Sequence, residues 1–171
     1  MSLFLASAGH YPAAPGAAWK GFVEHTEARL WVAEIVRHLP ATQLVPSLEL
    51  GAKIRWINAR ARPWDLAIEV HFNAATPTAR GSETLHVPGL APSMALAAEV
   101  QAVLARFFLP SRGIKPGWYQ GDSRKGTLGF LLRTRCMALI LEPEFIYHAE
   151  QIRTHRAACC AALADTLRRH V

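Results

Sequence analysis

The chain alternates two rhythms of apolar positions: short unbroken apolar runs, and longer stretches in which apolar side chains recur every three or four residues. Residues 3–8 (LFLASA) form the first run and predict a buried strand that stops at Gly9-His10. In residues 23–39 (VEHTEARLWVAEIVRHL), Trp31, Ile35 and Leu39 recur at helical spacing, and Pro40 closes the predicted helix. A short strand at residues 43–45 precedes a second helix over residues 47–61, with Ser47 as its N-cap and Pro63 as its stop. Residues 65–72 (DLAIEVHF) carry the Leu, Ile and Val content of a central strand, and residues 82–87 (SETLHV) read as a shorter neighbour. A third helix covers residues 93–108, followed by a polar loop at residues 111–127 rich in Gly, basic and aromatic residues. LGFLLRT, the apolar strand MALILE at residues 137–142 and a last helix starting near Ala149 complete the chain.

Strands alternating with helices of this length predict an α/β fold, a single domain over residues 1–171. Its core is an open, twisted, mostly parallel sheet flanked by helices on both faces. In such sheets ligands collect where strands end at their carboxyl edge.

Composition narrows the function classes. A chain of 171 residues, 51% apolar and 19% charged, buries a core without staples, and no window is long enough for a membrane-spanning helix. Stable membrane insertion is therefore not expected. The run at residues 3–8 lacks a basic leader and is too short for a secretory signal, which predicts synthesis in the cytoplasm without a signal peptide. Three cysteines, two of them adjacent as Cys159-Cys160, make no disulfide framework, and no CxxC spacing points to thiolate zinc binding. The net charge of +6 and the pI near 9.7 predict attraction to a polyanion: nucleic acid, a lipid surface or an anionic cell-wall polymer. The basic residues are scattered and no recognition motif groups them, so nucleic acid is not the expected partner.

Three polar residues sit where apolar runs end: His10 after LFLASAG, His71 within AIEVHFN, and Glu142 after MALIL. Taken singly, a histidine beside an apolar run is usually structural. Strand ends on one sheet edge converge, however, and two imidazoles with a carboxylate suit a zinc ion that keeps a position open. Glu69 shares a strand face with His71, two residues away, and reads either as a partner for Lys or Arg or as an acceptor that orients a ligating imidazole. His25, His38, His86, His148, His155 and His170 have no strand-end placement and read as structural or surface residues.

The order SAGH, Glu24 opening a helix, DLAIEVHFNA, GSETLHV, LGFLLRT and MALILEPEF resembles the zinc-dependent N-acetylmuramoyl-L-alanine amidases over nearly the whole chain. The His71-Phe72-Asn73-Ala74 stretch, joined to Glu142 behind its apolar strand, is the most specific part of that pattern. The resemblance implies that His10, Glu24 and His71 bind zinc and that Glu142 assists the chemistry. Glu27 lies one helical turn from Glu24 on roughly the same face and rivals it as the second ligand; Glu24 is preferred because it begins the apolar phase of the helix. The chain departs from the family pattern at Glu144, where a glycine is usual and a carboxylate would stand at the cleft mouth. It departs again at Lys53, where an arginine is expected, although Asn58 fits, and in the loop at residues 11–16.

By the same resemblance the substrate is peptidoglycan, cut at the amide between the lactyl group of N-acetylmuramic acid and L-alanine by zinc-activated water. Glu142 would take the proton of that water and return it to the leaving amine. Arg112, Lys115, Trp118, Tyr119 and Arg124 either contact sugar, stem carboxylates or wall polymer, or form an ordinary solvated loop. A short catalytic unit of this kind looks like a phage endolysin, a monomer released to the wall by a holin or carried in the virion. Two other readings stay open: a metal-free glycan-binding module of the same fold, and a zinc peptidase or deacylase acting on another amide.

Overall fold

Strands rich in Leu, Ile and Val along their whole length belong where both faces of a sheet are covered, and the computed structural model, which describes residues 2–117 and 129–170, places them there. In chain order the elements are β1 (Phe4–Ala8), β2 (Ala18–Trp19), β3 (Phe22–Val23), α1 (Glu24–His38), β4 (Gln43–Leu44), α2 (Leu50–Asn58) and β5 (Leu66–Val70). They continue as β6 (Ser82–His86), α3 (Ala91–Leu104), β7 (Ser111–Pro116), α4 (Gly129–Arg133), β8 (Met137–Glu142) and α5 (Ala149–Leu167). Six strands make one sheet in the order β4-β1-β5-β8-β6-β7, and every pairing is parallel except β6 with β8. The expected open, mostly parallel α/β sheet is the fold observed.

Alternate residues of each central strand feed two cores. Phe4, Ile68 and Leu139 join Trp31 and Ile35 of α1, Leu96 of α3 and Leu163 of α5 on one face. Leu5, Ala67 and Ile140 meet Ile57 of α2 and Phe130 of α4 on the other. Both faces are thereby closed to water, which is why β5 and β8 read as nearly continuous apolar runs. Among the described residues no helix is long and apolar enough to cross a membrane.

Two local expectations differ from the structure, and two elements lie where the sequence reading assigned none. The N-cap of α2 is Glu49, whose carboxylate accepts from the amides of Ala52 (2.6 Å) and Gly51 (3.0 Å), in place of Ser47. The first six residues of the expected polar loop form β7 at the sheet edge, where a strand stays polar because one side faces solvent. LGFLLRT contributes the short helix α4. Finally, β2 and β3 form a hairpin whose turn residues Lys20 and Gly21 both have positive φ, the backbone of a two-residue primed turn.

An aromatic wedge ties the helical face to the chain just beyond β5. Phe72 is buried against Phe22 (ring centroids 5.3 Å apart) and Trp31 (5.7 Å), each edge to face. Such pairs add to simple burial, and here they fix the exit of β5 relative to the start of α1. Replacing Phe72 by Ala is expected to cost about 3–5 kcal/mol of stability in urea unfolding; a loss below about 1 kcal/mol would show that the wedge is not part of the core.

Candidate metal centre

The carboxyl ends of β1 and β5 and the first residue of α1 bring His10, His71 and Glu24 together. The chain leaves β1 through Gly9, whose amide donates to the Val70 carbonyl at 2.7 Å, and turns at His10 with a left-handed φ of 61°. A Cβ on Gly9 would stand 2.5 Å from the His71 ring, so only glycine lets β1 and that imidazole meet. The loop at residues 11–16 closes through reciprocal bonds between Tyr11 and Ala14, and at its end Gly16 does for the other imidazole what Gly9 does for His71. A Cβ there would lie 2.6 Å from both Glu24 Oε2 and the His10 ring.

Glu24 is the hub. Its Oε2 lies 3.0 Å from His10 Nε2 and accepts from the Ala17 amide at 3.1 Å. Its Oε1 lies 3.0 Å from His71 Nδ1 and accepts from the Phe72 amide at 3.2 Å. A carboxylate at the first residue of a fifteen-residue helix also gains from the helix dipole. The two rings stand 5.0 Å apart at 68°, and one donor atom from each of His10, Glu24 and His71 falls within 4.8 Å of the others. Zinc ligands at about 2.0–2.1 Å in a tetrahedron stand roughly 3.3 Å apart, so two imidazoles and a carboxylate at these separations fit that ion with small adjustments.

Burial acts to raise the Glu24 carboxyl, but hydrogen bonds and charge from His10 and His71 outweigh it and hold the group well below the usual carboxylate range. Burial likewise acts to lower His71, yet Glu24 and Glu69 flank it and push it up to about 10. In the metal-free protein the His71 proton is therefore the cation of this cradle. A divalent ion has to displace it.

The rival carboxylate Glu27 turns away from the imidazoles. Arg153 Nη2 lies 2.6 Å from its Oε1, and Arg156 Nη1 3.5 Å from its Oε2, so it ties α1 to α5. Glu69 contacts both a lysine and the His71 ring. Its Oε1 pairs with the buried Lys53 ammonium, and its Oε2 lies 3.2 Å from His71 Nε2.

Glu142 ends β8 beside this cluster. The β5–β8 register runs to Val70 against Leu141, and the His71 amide donates to the Leu141 carbonyl at 2.9 Å, so the next step sets His71 next to Glu142. On the other flank, Glu83 of β6 is the Cα partner of Glu142. Sequence reasoning did not single out Glu83, since a carboxylate opening a polar strand carries no signal of its own. The structure gives it Asn73 Nδ2 at 3.1 Å, Arg112 Nε at 2.9 Å and the Lys115 ammonium. Burial pushes its carboxyl up, and these three donors overcome that and lower it. Arg112 and Lys115 thus stand at the site's edge, whereas Trp118, Tyr119 and Arg124 lie outside the described residues.

Two further side chains shape the edge. Glu144 is buried and accepts from the Gly81 (2.6 Å) and Phe145 (2.8 Å) amides, which removes it from the cleft mouth where the sequence pattern set it. His25, expected to be structural, donates from Nδ1 to the Gly9 carbonyl at 2.8 Å and steadies the turn into His10.

No family model matches the sequence, and no curated protein matches it. Solved structures do match. The CwlD amidase from Clostridioides difficile, in complex with the GerS lipoprotein, gives a TM-score of 0.79 at 16% identity over 99% of this chain and 98% of that one. The catalytic domain of an endolysin targeting Clostridium difficile gives 0.77 at 16% identity over 99% and 98%. The catalytic domain of CwlV, an N-acetylmuramoyl-L-alanine amidase from Paenibacillus polymyxa, gives 0.73 at 19% identity over 99% and 97%. At these identities the likeness establishes the fold: this chain has the fold of N-acetylmuramoyl-L-alanine amidase catalytic domains.

The raised His71 fixes the sign of a pH effect in the metal-free protein. Its contribution to stability is complete below its ordinary value of 6.5 and is lost as pH rises through about 10. Melting temperatures of the metal-free wild type should therefore fall across that window by more than those of His71→Gln; parallel profiles would show that His71 holds no extra proton when folded.

Proposed function

We propose that this chain is a zinc-dependent N-acetylmuramoyl-L-alanine amidase that degrades peptidoglycan in the manner of an endolysin. The observation that carries the reading is the Glu24 carboxylate held at 3.0 Å from an imidazole on each side, at the carboxyl edge of the sheet. His10, Glu24 and His71 would hold the ion, Glu24 through an oxygen of its own carboxylate and the histidines through their ring nitrogens. The fold shared with amidase catalytic domains over nearly their whole length supports the substrate class.

Held by His10, Glu24 and His71, a zinc ion would supply Lewis acidity for the amide carbonyl and would lower the pKa of water towards about 7. Glu142, in register beside His71, is the general base: it takes one proton from the attacking water. As the carbon–nitrogen bond breaks, the same carboxyl returns that proton to the amine of L-alanine, leaving the lactyl carboxylate behind. Glu83 keeps Arg112 and Lys115 beside Glu142, where their positive charge suits the carboxylates of a peptide stem and the net basic charge of the chain suits an anionic wall. The three zinc-holding residues and Glu142 come from one chain, so a monomer suffices.

The test is Glu142→Gln. It should cut release of L-alanine amino termini from purified cell wall by at least about 100-fold, with zinc retained at one equivalent by mass spectrometry. Undiminished hydrolysis would remove Glu142 from the chemistry, and cleavage that exposes any other amine would change the substrate.

A further inference from the structure

Behind His71 lies an ion pair that the chemistry above does not use. Lys53, from α2, and Glu69, from β5, are each 2% exposed. The Lys53 ammonium donates to the Ala8 carbonyl at 2.7 Å and to Glu69 Oε1, and Ser7 Oγ donates to that same oxygen at 3.3 Å. Ser7 and Glu69 are Cα partners in the β1–β5 register, so the lysine stitches the last residue of β1 to β5 from the α2 side. Glu69 Oε2 then takes the outer nitrogen of the His71 ring, Nε2, at 3.2 Å. A buried ion pair gains little stability over apolar side chains of similar size, so packing alone gives no reason for one here.

We propose that Lys53 and Glu69 are a positioning pair for the metal centre. The inference rests on the zinc reading above and goes beyond it. The pair has two tasks. It holds the His71 ring so that Nε2–H donates outward to Glu69 and Nδ1 is presented beside Glu24, which selects one tautomer and one ring orientation. Second, Lys53 holds Oε1 of Glu69 while His71 takes Oε2, so both oxygens of that carboxylate are engaged. That carboxylate sits two residues from His71 on the same strand face, and with Lys53 on its other oxygen it stays directed at the outer side of the ring.

The double variant Lys53→Met with Glu69→Leu removes both charges of the pair together and leaves His71 its Glu24 partner. We expect it to fold cooperatively in the metal-free state, with a melting temperature lowered by the loss of Glu69 beside the protonated His71. It should bind zinc about 10–100-fold more weakly than the wild type in competition with a chromophoric chelator. In the loaded proteins, long-range ¹H–¹⁵N spectra should show His71 as a single Nε2–H tautomer in the wild type and as a mixture in the double variant. Equal zinc affinity and an unchanged His71 tautomer would overturn the inference while leaving the zinc reading intact. A wild type that takes up no zinc would overturn both.

Discussion

One carboxylate shared between two imidazoles organises this molecule. For Glu24 to face His10 on one side and His71 on the other, the ends of two neighbouring strands and the first residue of a helix have to meet within hydrogen-bond distance. The backbone is shaped around that meeting. Gly9 and Gly16 leave out the Cβ atoms that would collide with the rings and the carboxylate, His10 adopts a left-handed φ, and the Ala17 and Phe72 amides complete the hydrogen bonds of Glu24. Such a cluster of charge is tolerable in a buried place because every member has a partner.

The sheet extends this local arrangement across its carboxyl edge. Parallel strands β1, β5 and β8 end on one edge, and the antiparallel β6 begins there, so His71, Glu142 and Glu83 form a row across three adjacent strands. Each member of the row has a different environment. His71 sits between two carboxylates, Glu142 is only partly buried, and Glu83 is neutralised by Arg112 and Lys115. Charge along this edge runs from the His10–Glu24–His71 cluster at β1 to the basic Arg112 and Lys115 at β7.

What the sequence revealed follows from burial. β1, β5 and β8 were legible because strands covered on both faces must be apolar throughout, and α1 because Trp31 and Ile35 have to reach the core together. His10, His71 and Glu142 were legible as polar residues closing those runs. Periodicity could not separate Glu24 from Glu27, since both lie near one helical face; the difference is made by Arg153 and Arg156 of α5, more than a hundred residues later. β7 escaped because an edge strand needs no apolar pattern. The roles of Glu83 and Lys53 escaped because each depends on partners brought in by other elements.

The central claim is that His10, Glu24 and His71 hold one divalent ion. Anomalous diffraction collected on either side of the zinc edge, from crystals grown with zinc at one equivalent, tests it most directly. The account predicts a single strong peak bounded by His10, Glu24 and His71 within ordinary zinc-ligand distances of about 2.0–2.2 Å. A peak elsewhere, or a featureless map at these three side chains in zinc-containing crystals, would contradict it.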